Sequence, residues 1–226
     1  MRALGVYALA DAQASAPSHP LLRGWLYLES MKVEPVVLEG EFVRLEPMRF
    51  DHLPALCEVG LEPVIWKWTN NVVNSEADIE RYVREALAMQ DAGTALPFVT
   101  VSKADDKIVG STRFGNIDTA NKKAEIGWTW INPQWQRTAI NTEAKLLMLT
   151  HAFETWRCVR VELKTDSNNS QSRAAIARIG GVEEGTLRNH MITESGRNRH
   201  SVYFSILDTE WEAVKAGLAS KLTARQ

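Results

Sequence analysis

The chain has 226 residues, of which 45% are hydrophobic and 24% are charged, and these values are typical of one sizeable hydrophobic core. Its 26 basic and 28 acidic residues give a formal net charge of -2, so no broad positive field favours nucleic acid or an anionic membrane. No stretch reaches the roughly 18 to 20 apolar residues of a membrane-spanning helix. Cys57 and Cys158 have no spacing typical of a zinc site or a disulfide framework. We therefore expect a cytoplasmic protein that binds neither nucleic acid nor membrane.

The sequence predicts two regions of unequal size. Residues 1–37 are expected to form a poorly ordered N-terminal extension, and residues 38–222 a single domain. Met31 followed by Lys32 is compatible with an internal start, which would make the preceding segment an upstream extension.

Strand-like and helix-like patterns alternate from Gly40 onward, which favours an α/β or α+β domain. Alternating hydrophobicity and turn residues predict strands at residues 42–46, 97–103, 108–114, 123–131, 159–165, 183–188 and 201–207. Capping residues and helical spacing predict helices at residues 51–59, 75–92, 142–156 and 170–179, and from about residue 209. Residues 62–71 are expected to form an irregular loop.

The strand at residues 123–131 is the longest of the predicted central strands. Because side chains alternate between the two faces of a strand, we expect its apolar residues on a single face. These residues are Ala124, Ile126, Trp128 and Trp130. Pro133 is expected to end the strand.

The loop at residues 132–139 connects this strand to the helix that is expected from about Ile140. The first N–H groups of a helix have no partner within it, so a strand–loop–helix unit of this kind can bind an anion such as phosphate. Arg137, Thr138 and Asn141 add polar donors at the same place. Ordinary loop chemistry is the alternative interpretation.

Three groups of segments together carry a family resemblance. They are Ala124-Glu125-Ile126-Gly127-Trp128-Thr129-Trp130-Ile131-Asn132-Pro133, Gln136-Arg137-Thr138-Ala139-Ile140-Asn141 followed by Thr142-Glu143-Ala144-Lys145, and Val161-Glu162-Leu163-Lys164-Thr165-Asp166 followed by Asn169-Ser170-Gln171-Ser172, Gly180-Gly181 and Glu184-Gly185. From about Leu38 to Trp211 the chain resembles the GNAT acetyltransferase superfamily, particularly its ribosomal-protein N-terminal acetyltransferase branch, the RimJ/RimL type. The resemblance implies a mixed, mostly antiparallel sheet of six to seven strands flanked by about four helices, with a splayed strand pair for coenzyme A.

The same resemblance implies that acetyl-CoA is the cosubstrate and suggests which residues bind it. These residues lie at the end of the central strand, in the loop after it and at the start of the helix predicted at residues 170–179. They are Trp130, Ile131, Asn132, Gln136, Arg137, Thr138, Ala139, Ile140, Asn141, Thr142, Asn169 and Ser172. Ala139 and Asn141 depart from the small residues of the family's pyrophosphate loop, where a Cβ restricts the approach of backbone to phosphate. The simpler interpretation of the later helix start is that Asn169 caps the helix and Ser172 packs.

Direct acetyl transfer to an amine needs a neutral nucleophile, a polarised carbonyl and a proton for the leaving thiolate. A backbone N–H between Trp128 and Trp130 is expected to polarise the carbonyl. Glu184 and Glu125 are candidate bases that act through water, and Ser172 or Tyr203 is a candidate acid. Ion pairing by Glu125, a strand-end position for Glu184 and simple packing of Tyr203 are the respective alternatives.

Trp66 and Trp68 are expected to wall the amine pocket, with core packing as the alternative. The acceptor is predicted to be an amine, either a protein N-terminus or a small molecule such as a polyamine, amino sugar or antibiotic. A non-catalytic coenzyme A-binding module is the competing hypothesis, motivated by Ala139 and Asn141. The five histidines show no metal-ligand spacing, so no metal is expected. Exposed sheet edges are compatible with a homodimer.

Overall fold

The computed structural model describes residues 31–224, which contain eight strands and six α-helices. The strands are β1 (Leu38–Glu39), β2 (Val43–Pro47), β3 (Leu96–Ser102), β4 (Lys107–Asp118), β5 (Lys123–Ile131), β6 (Arg160–Asp166), β7 (Val182–Ile192) and β8 (Asn198–Leu207). The helices are α1 (Leu53–Gly60), α2 (Pro63–Trp66), α3 (Glu76–Asp91), α4 (Ile140–Thr150), α5 (Ser170–Arg178) and α6 (Trp211–Thr223). A π-helical turn, His151–Thr155, extends α4.

All described strands form one sheet in the order β1-β2-β3-β4-β5-β6-β8-β7. Every neighbouring pair is antiparallel except β5 and β6, which are parallel. This confirms the predicted mixed, mostly antiparallel sheet, and the additional strand is the two-residue β1. The short helix α2 lies where an irregular loop was expected, because Pro63 at the first helical position is already restricted to a helical φ.

Two hydrophobic clusters cover the two faces of the sheet. The first packs β-strand side chains such as Phe114 against Met148 of α4 and Trp211 of α6. The second packs Trp130 against Leu56 of α1 and Ile79 of α3. The sheet is therefore sandwiched between two helical layers, as expected for an α/β domain.

A β-bulge interrupts β5 at Trp128. Ser111 pairs with Trp130 and Arg113 with Gly127, so two residues of β5 oppose one residue of β4. The φ angle of Trp128 is 49°, which is in the left-handed region.

The bulge reverses the alternation of side chains along β5. Ala124 and Ile126 lie in the first hydrophobic cluster, whereas Trp130 lies in the second and Trp128 packs against that second cluster. The prediction of a single shared face is therefore wrong, because one extra residue shifts every later side chain to the other face.

β5 and β6 separate soon after they begin. Residues 123–125 pair with residues 160–162, and no pairing continues toward Ile131 and Asp166. A bulge bends its strand and disrupts the ladder, so the two strands diverge into a wedge. The expected splayed strand pair is confirmed.

The folded domain begins before the predicted boundary. Met31 is buried, Val33 and Val36 pack against the first cluster, and the indole Nε1 of Trp156 donates to the carbonyl of Lys32 at 2.8 Å. Residues 31–37 thus belong to the domain, which corrects the boundary expected at residue 38. The rest of the predicted extension, residues 1–30, lies outside the described residues. Among residues 31–224, no helix is long and apolar enough to cross a membrane.

Glu143 joins the first turn of α4 to the turn between β1 and β2. Its buried carboxylate accepts hydrogen bonds from the backbone N–H groups of Glu41, Phe42 and Val43, at 2.8, 2.7 and 2.7 Å. A Cβ on Gly40 would lie 2.3 Å from the carboxyl carbon, so this close approach requires glycine. The start of α4 is therefore fixed against the edge of the sheet.

Candidate active site

A cavity of about 820 Å³ occupies the wedge between β5 and β6. One end is lined by residues 136–138 and the start of α4, and the middle by residues 125–131, residues 163–165 and the start of α5. The other end is lined by residues 64–71 together with Tyr82, Met191 and Arg199. The cavity thus connects the helix start of α4 to the loop after α2.

The loop before α4 is shaped by side-chain hydrogen bonds. Gln136 donates from Nε2 to the carbonyl of Ile131 at 2.9 Å, and Thr138 donates from Oγ1 to the carbonyl of Trp135 at 2.7 Å. Arg137 has a φ angle of 61°, which turns the chain sharply before the helix. The first amides of α4 have no intrahelical partners, so this end of the cavity suits an anion.

Arg178 brings a second cation to the same end. It lies at the end of α5, lines the cavity and donates from Nη1 to Oγ1 of Thr142 at 3.0 Å. A helix start with guanidinium groups beside it matches the chemistry of a diphosphate.

Lys145 lies on the helical side of the bulge. Its side chain is buried, and Nζ donates to Oγ1 of Thr129 at 2.7 Å and to Oγ1 of Thr112 at 3.2 Å. Burial lowers the pKa of Lys145 to about 7. No carboxylate of residues 31–224 pairs with it. Its two acceptors, Thr112 and Thr129, lie on adjacent strands at the bulge and hydrogen-bond to each other at 2.7 Å.

Glu125 and Lys164 form an ion pair where β5 and β6 diverge. Glu125 is only 3% exposed, and its Oε2 accepts from Nζ of Lys164 at 2.9 Å and from Nδ2 of Asn116 at 2.7 Å. Nζ of Lys164 also lies 5.7 Å from the ring centroid of Trp128. The Glu125 carboxylate therefore lies at the narrow end of the wedge, and Lys164 compensates its negative charge.

Aromatic side chains form a wall near the other end of the cavity. The centroids of Trp66 and Trp130 are 5.5 Å apart, and those of Trp66 and Tyr82 are 5.6 Å apart. The hydroxyl of Tyr82 donates to the carbonyl of Trp128 at 3.3 Å, which holds the bulge from this side. Tyr82 contacts Trp66 and Trp130 edge to face, whereas the two indoles are tilted by 53° to each other.

The loop after α2 is tied to the hairpin of β7 and β8. Asn70 accepts at Oδ1 from Nη1 of Arg199 at 2.8 Å and donates from Nδ2 to Sδ of Met191 at 3.2 Å. The backbone N–H of Glu194 donates to the carbonyl of Asn70 at 3.0 Å. These contacts hold Asn70 against the hairpin at the end of the cavity that lies away from α4.

The sequence profile of the acetyltransferase (GNAT) domain matches residues 43–182. The chain belongs to the GNAT acetyltransferase family. It is therefore an acetyl-CoA-dependent N-acetyltransferase, which confirms the enzyme class expected from the sequence.

Relatives support the RimJ/RimL-like branch of the GNAT family. YdaF of Bacillus subtilis, which is named among the ribosomal N-acetyltransferases, is 37% identical over 111 residues, or 49% of this chain and 60% of YdaF. This match spans less than two thirds of YdaF. The ribosomal-protein-serine acetyltransferase of Escherichia coli is 26% identical over 176 residues, or 76% of this chain and 96% of that protein. The crystal structure of a GCN5-related N-acetyltransferase from Brucella melitensis is 32% identical with a TM-score of 0.77, covering 86% of this chain and 91% of that one.

Most of the residues expected to bind the coenzyme line the GNAT cavity. They are Trp130, Ile131, Gln136, Arg137, Thr138, Asn141, Thr142, Asn169 and Ser172. The remaining three do not line it. Ile140 is buried in the first hydrophobic cluster, Ala139 stands at the N-cap of α4, and Asn132 donates from Nδ2 to the carbonyl of Val59 at 2.9 Å.

Asn169 has the capping contact that was the alternative interpretation. Its Oδ1 accepts from the backbone N–H of Ser172 at 3.0 Å, so it caps α5 while it also lines the cavity. This cap fixes Ser172 at the cavity wall.

Glu184 lies away from the cavity, unlike the other candidate base, Glu125. Its carboxylate accepts hydrogen bonds from Nη1 of Arg160 and Oγ of Ser205. In the sheet, β8 separates β7 from β6, so Glu184 is not next to the wedge between β5 and β6. Glu184 does not line the cavity, and its carboxylate is held by Arg160 and Ser205 instead.

The two candidate acids also differ in position. Ser172 lines the cavity, whereas Tyr203 does not. The ring of Tyr203 packs edge-on against His190 at 5.6 Å and lies 5.8 Å from Nζ of Lys164. Packing, the alternative interpretation, describes the contacts of Tyr203.

Trp66 and Trp68 both line the cavity, at the end away from the phosphate loop. Trp66 is also a buried member of the second cluster, so the two interpretations of this residue coexist. Within residues 31–224, no group of three His, Cys, Asp or Glu side chains is arranged to hold a metal ion.

Sequence reasoning did not assign Lys145, Arg178 or Arg199 to the site. Lys145 had a usable signal, because its neighbours three and four positions later, Met148 and Leu149, face the core. The two arginines had none, since they reach the cavity only through tertiary packing.

Proposed function

We propose that this enzyme acetylates the α-amine of a protein or peptide N-terminus by direct attack in a ternary complex. The observation that carries the proposal is one continuous cavity that runs from the start of α4, past Glu125, to the loop after α2. Such a cavity accommodates both substrates at once. The names of the Bacillus subtilis and Escherichia coli relatives support the same acceptor class.

The charges of the cavity argue against polyamine and aminoglycoside acceptors. Such acceptors carry several positive charges and need carboxylates to receive them. Among the described lining residues, Glu125 is the single carboxylate, and Lys164 pairs with it at 2.9 Å. The basic lining residues are Lys67, Arg137, Lys145, Lys164, Arg178 and Arg199. A peptide N-terminus has one reactive amine, so it suits a cavity with several basic side chains and one carboxylate better than a polycation does.

Different residues of the cavity bind acetyl-CoA, polarise its carbonyl and transfer protons during acetyl transfer. Acetyl-CoA supplies the acetyl thioester when it is bound. The first amides of α4, with Arg137 and Arg178 beside them, hold the diphosphate, and the bulged segment around Trp128 presents backbone amides to the thioester carbonyl. Glu125, through a water molecule, takes the proton that the amine releases as the N–C bond forms. Ser172 gives its proton to the thiolate as the C–S bond breaks and recovers one from water.

A thiol-release assay tests the acceptor class. With saturating acetyl-CoA, we expect turnover with peptides that have a free N-terminus and contain lysine, and none with the same peptides blocked by N-terminal acetylation. Spermidine and an aminoglycoside are the matched small amines and should be at least tenfold poorer in kcat/KM. A preference for these polycations would contradict the proposal. Binding of acetyl-CoA without thiol release from any amine would instead favour the non-catalytic coenzyme A-binding module.

A further inference from the structure

Arg199 is a buried cation at the acceptor end of the cavity, and it forms no ion pair with residues 31–224. It is 7% exposed and lines the cavity, and its guanidinium donates from Nη1 to Oδ1 of Asn70 at 2.8 Å. Its Nε has no hydrogen-bond partner, and no carboxylate of residues 31–224 lies within ion-pair distance of the guanidinium. Burial of a guanidinium without a carboxylate partner costs free energy, and native proteins rarely keep such a group without a structural or functional reason.

Neighbouring charges do not neutralise Arg199. Asp166 contributes a negative potential, but Arg197 already pairs with it at 2.7 Å. Glu125 also interacts with Arg199 over a longer distance, and Lys164 pairs with Glu125 at 2.9 Å. Two carboxylates are thus shared among three cations, which leaves one positive charge in excess beside the cavity.

A second buried guanidinium lies behind the acceptor wall. Arg113 is 2% exposed and stacks 4.8 Å from the ring centroid of Tyr82 and 5.0 Å from that of Trp128. Its Nε has no hydrogen-bond partner, and the ion pairs of the described residues do not include it. Both rings line the cavity, so the wall itself has a positive charge behind it.

We propose that the acceptor end of the cavity is a carboxylate subsite centred on Arg199, so that the preferred acceptor is an amine with a carboxylate a few bonds away. Two sources have this chemistry: an acidic side chain at the start of a peptide, and the α-carboxylate of a free amino acid. The proposal rests on the proposed function, because it specifies the substrate of the same site.

The geometry explains how the carboxylate is recognised. A guanidinium has five N–H donors in a planar fork that matches a carboxylate. Asn70 accepts from Nη1 at 2.8 Å and orients the group, and no residue of 31–224 accepts a hydrogen bond from Nη2. Burial lowers the pKa of Arg199, and an anionic ligand offsets this desolvation by stabilising the charged form.

Matched substrates test the subsite without any change to the enzyme. The peptides begin Ser-Glu, Ser-Gln or Ser-Lys and are otherwise identical, and free serine is compared with serinamide. At saturating acetyl-CoA, we expect kcat/KM for the Ser-Glu peptide to exceed that for the Ser-Gln peptide by about 10- to 100-fold, as for a charge-assisted hydrogen bond. The Ser-Lys peptide should be poorest, because its charge has the sign of Arg199.

A variant then assigns the preference to its residue. Arg199→Gln should lower the Ser-Glu to Ser-Gln ratio to about 1, whereas Arg84→Gln should retain the wild-type ratio. Arg84 is the matched control because it lies exposed on α3, where it pairs with Glu80 at 2.6 Å. If Arg199→Gln does not fold, the wild-type substrate series still decides.

The outcomes separate the two proposals. Equal kcat/KM for the Ser-Glu and Ser-Gln peptides overturns the carboxylate subsite and leaves N-terminal acetylation standing. A preference retained by Arg199→Gln overturns the assignment to Arg199. Turnover of free serine over serinamide, with no peptide acetylated, overturns the peptide acceptor but supports the carboxylate subsite.

Discussion

Burial decides the chemistry of individual residues around the cavity more than residue type does. Lys145 and Lys164 both line the cavity, but Lys164 has a carboxylate at 2.9 Å and Lys145 has two threonine hydroxyls. A lysine buried without a carboxylate favours its neutral form. The two lysines therefore contribute differently to the charge of the site and to stability.

Lys145→Met should change how stability depends on pH. Burial lowers the pKa of Lys145 from 10.5 to about 7, so between those values the unfolded chain holds a proton that the folded chain does not. The free energy of unfolding of the wild type therefore rises with pH in this window, at up to about 1.4 kcal/mol per pH unit. Below pH 7 both states are protonated, and the full penalty of burial applies.

Urea unfolding at pH 6.5, 8 and 9.5 measures this effect. The stability of Lys145→Met relative to wild type should be most favourable at pH 6.5 and should decline as pH rises. Lys107→Met, at an exposed position of β4, is the matched control. Parallel pH curves for Lys145→Met and the wild type would show that the lysine does not titrate in this way.

Glu125→Gln and Glu184→Gln distinguish the two candidate bases. Loss of a proton-transfer group typically lowers kcat by about 10²- to 10⁴-fold, and we expect this for Glu125→Gln with little change in acetyl-CoA affinity. Glu184→Gln should leave kcat near the wild-type value, because its carboxylate binds Arg160 and Ser205. Steady-state kinetics and calorimetry check both variants. A comparable loss of turnover in Glu184→Gln would return the catalytic role to that residue.

At the scale of secondary structure, the bulge in β5 determines where the site forms. It bends the strand away from β6, reverses its side chains between the two clusters, and brings Trp128 and Thr129 to the cavity. The adjacent strand β4 must approach closely to maintain this geometry. A Cβ on Gly110 would lie 2.1 Å from the carbonyl oxygen of Trp130.

Gly110→Ala should therefore destabilise the protein and weaken acetyl-CoA binding. The contacted atoms are backbone and cannot rotate away, so β5 must shift, at a cost of about 1 to 3 kcal/mol. Gly217→Ala in α6 is the control, because the nearest atom to its Cβ is Nζ of Lys221 at 3.6 Å. It should stabilise by about 0.5 to 1 kcal/mol. Unchanged unfolding curves for Gly110→Ala would show that β4 and β5 can separate freely.

Local patterns predicted the elements better than their orientation. The strand at residues 123–131 has its predicted bounds, and Ser75 caps α3 as expected, with Oγ accepting from the N–H of Asp78 at 3.3 Å. The bulge was not predictable, because nothing in an alternating run marks an unusual φ angle at Trp128. The splay followed from the family resemblance rather than from the alternation.

For the molecule as a whole, the two ends of the cavity differ in how far sequence predicts them. The phosphate end is built mainly from one continuous segment, residues 136–142, with Arg178 added from α5, so a motif identifies most of it. The acceptor end joins distant segments, since Asn70 and Arg199 are 129 positions apart. In the middle of the cavity, Glu125 and Lys164 are 39 positions apart. Only the folded chain brings these charges together, so their balance was not available from the sequence.

Helix α4 is attached at both sides of its first turn. Its first amides face the phosphate end of the cavity, and the Glu143 carboxylate accepts hydrogen bonds from the turn between β1 and β2. If the first turn of α4 unfolds locally, it loses both its contacts with the ligand and the hydrogen bonds of Glu143. The start of α4 and the turn between β1 and β2 therefore share one free energy of local unfolding. A ligand that holds the helix start closed also raises the cost of peeling the first two strands from the sheet. Substrate binding in the cavity is therefore expected to reduce local unfolding of β1 and β2, at the edge of the sheet.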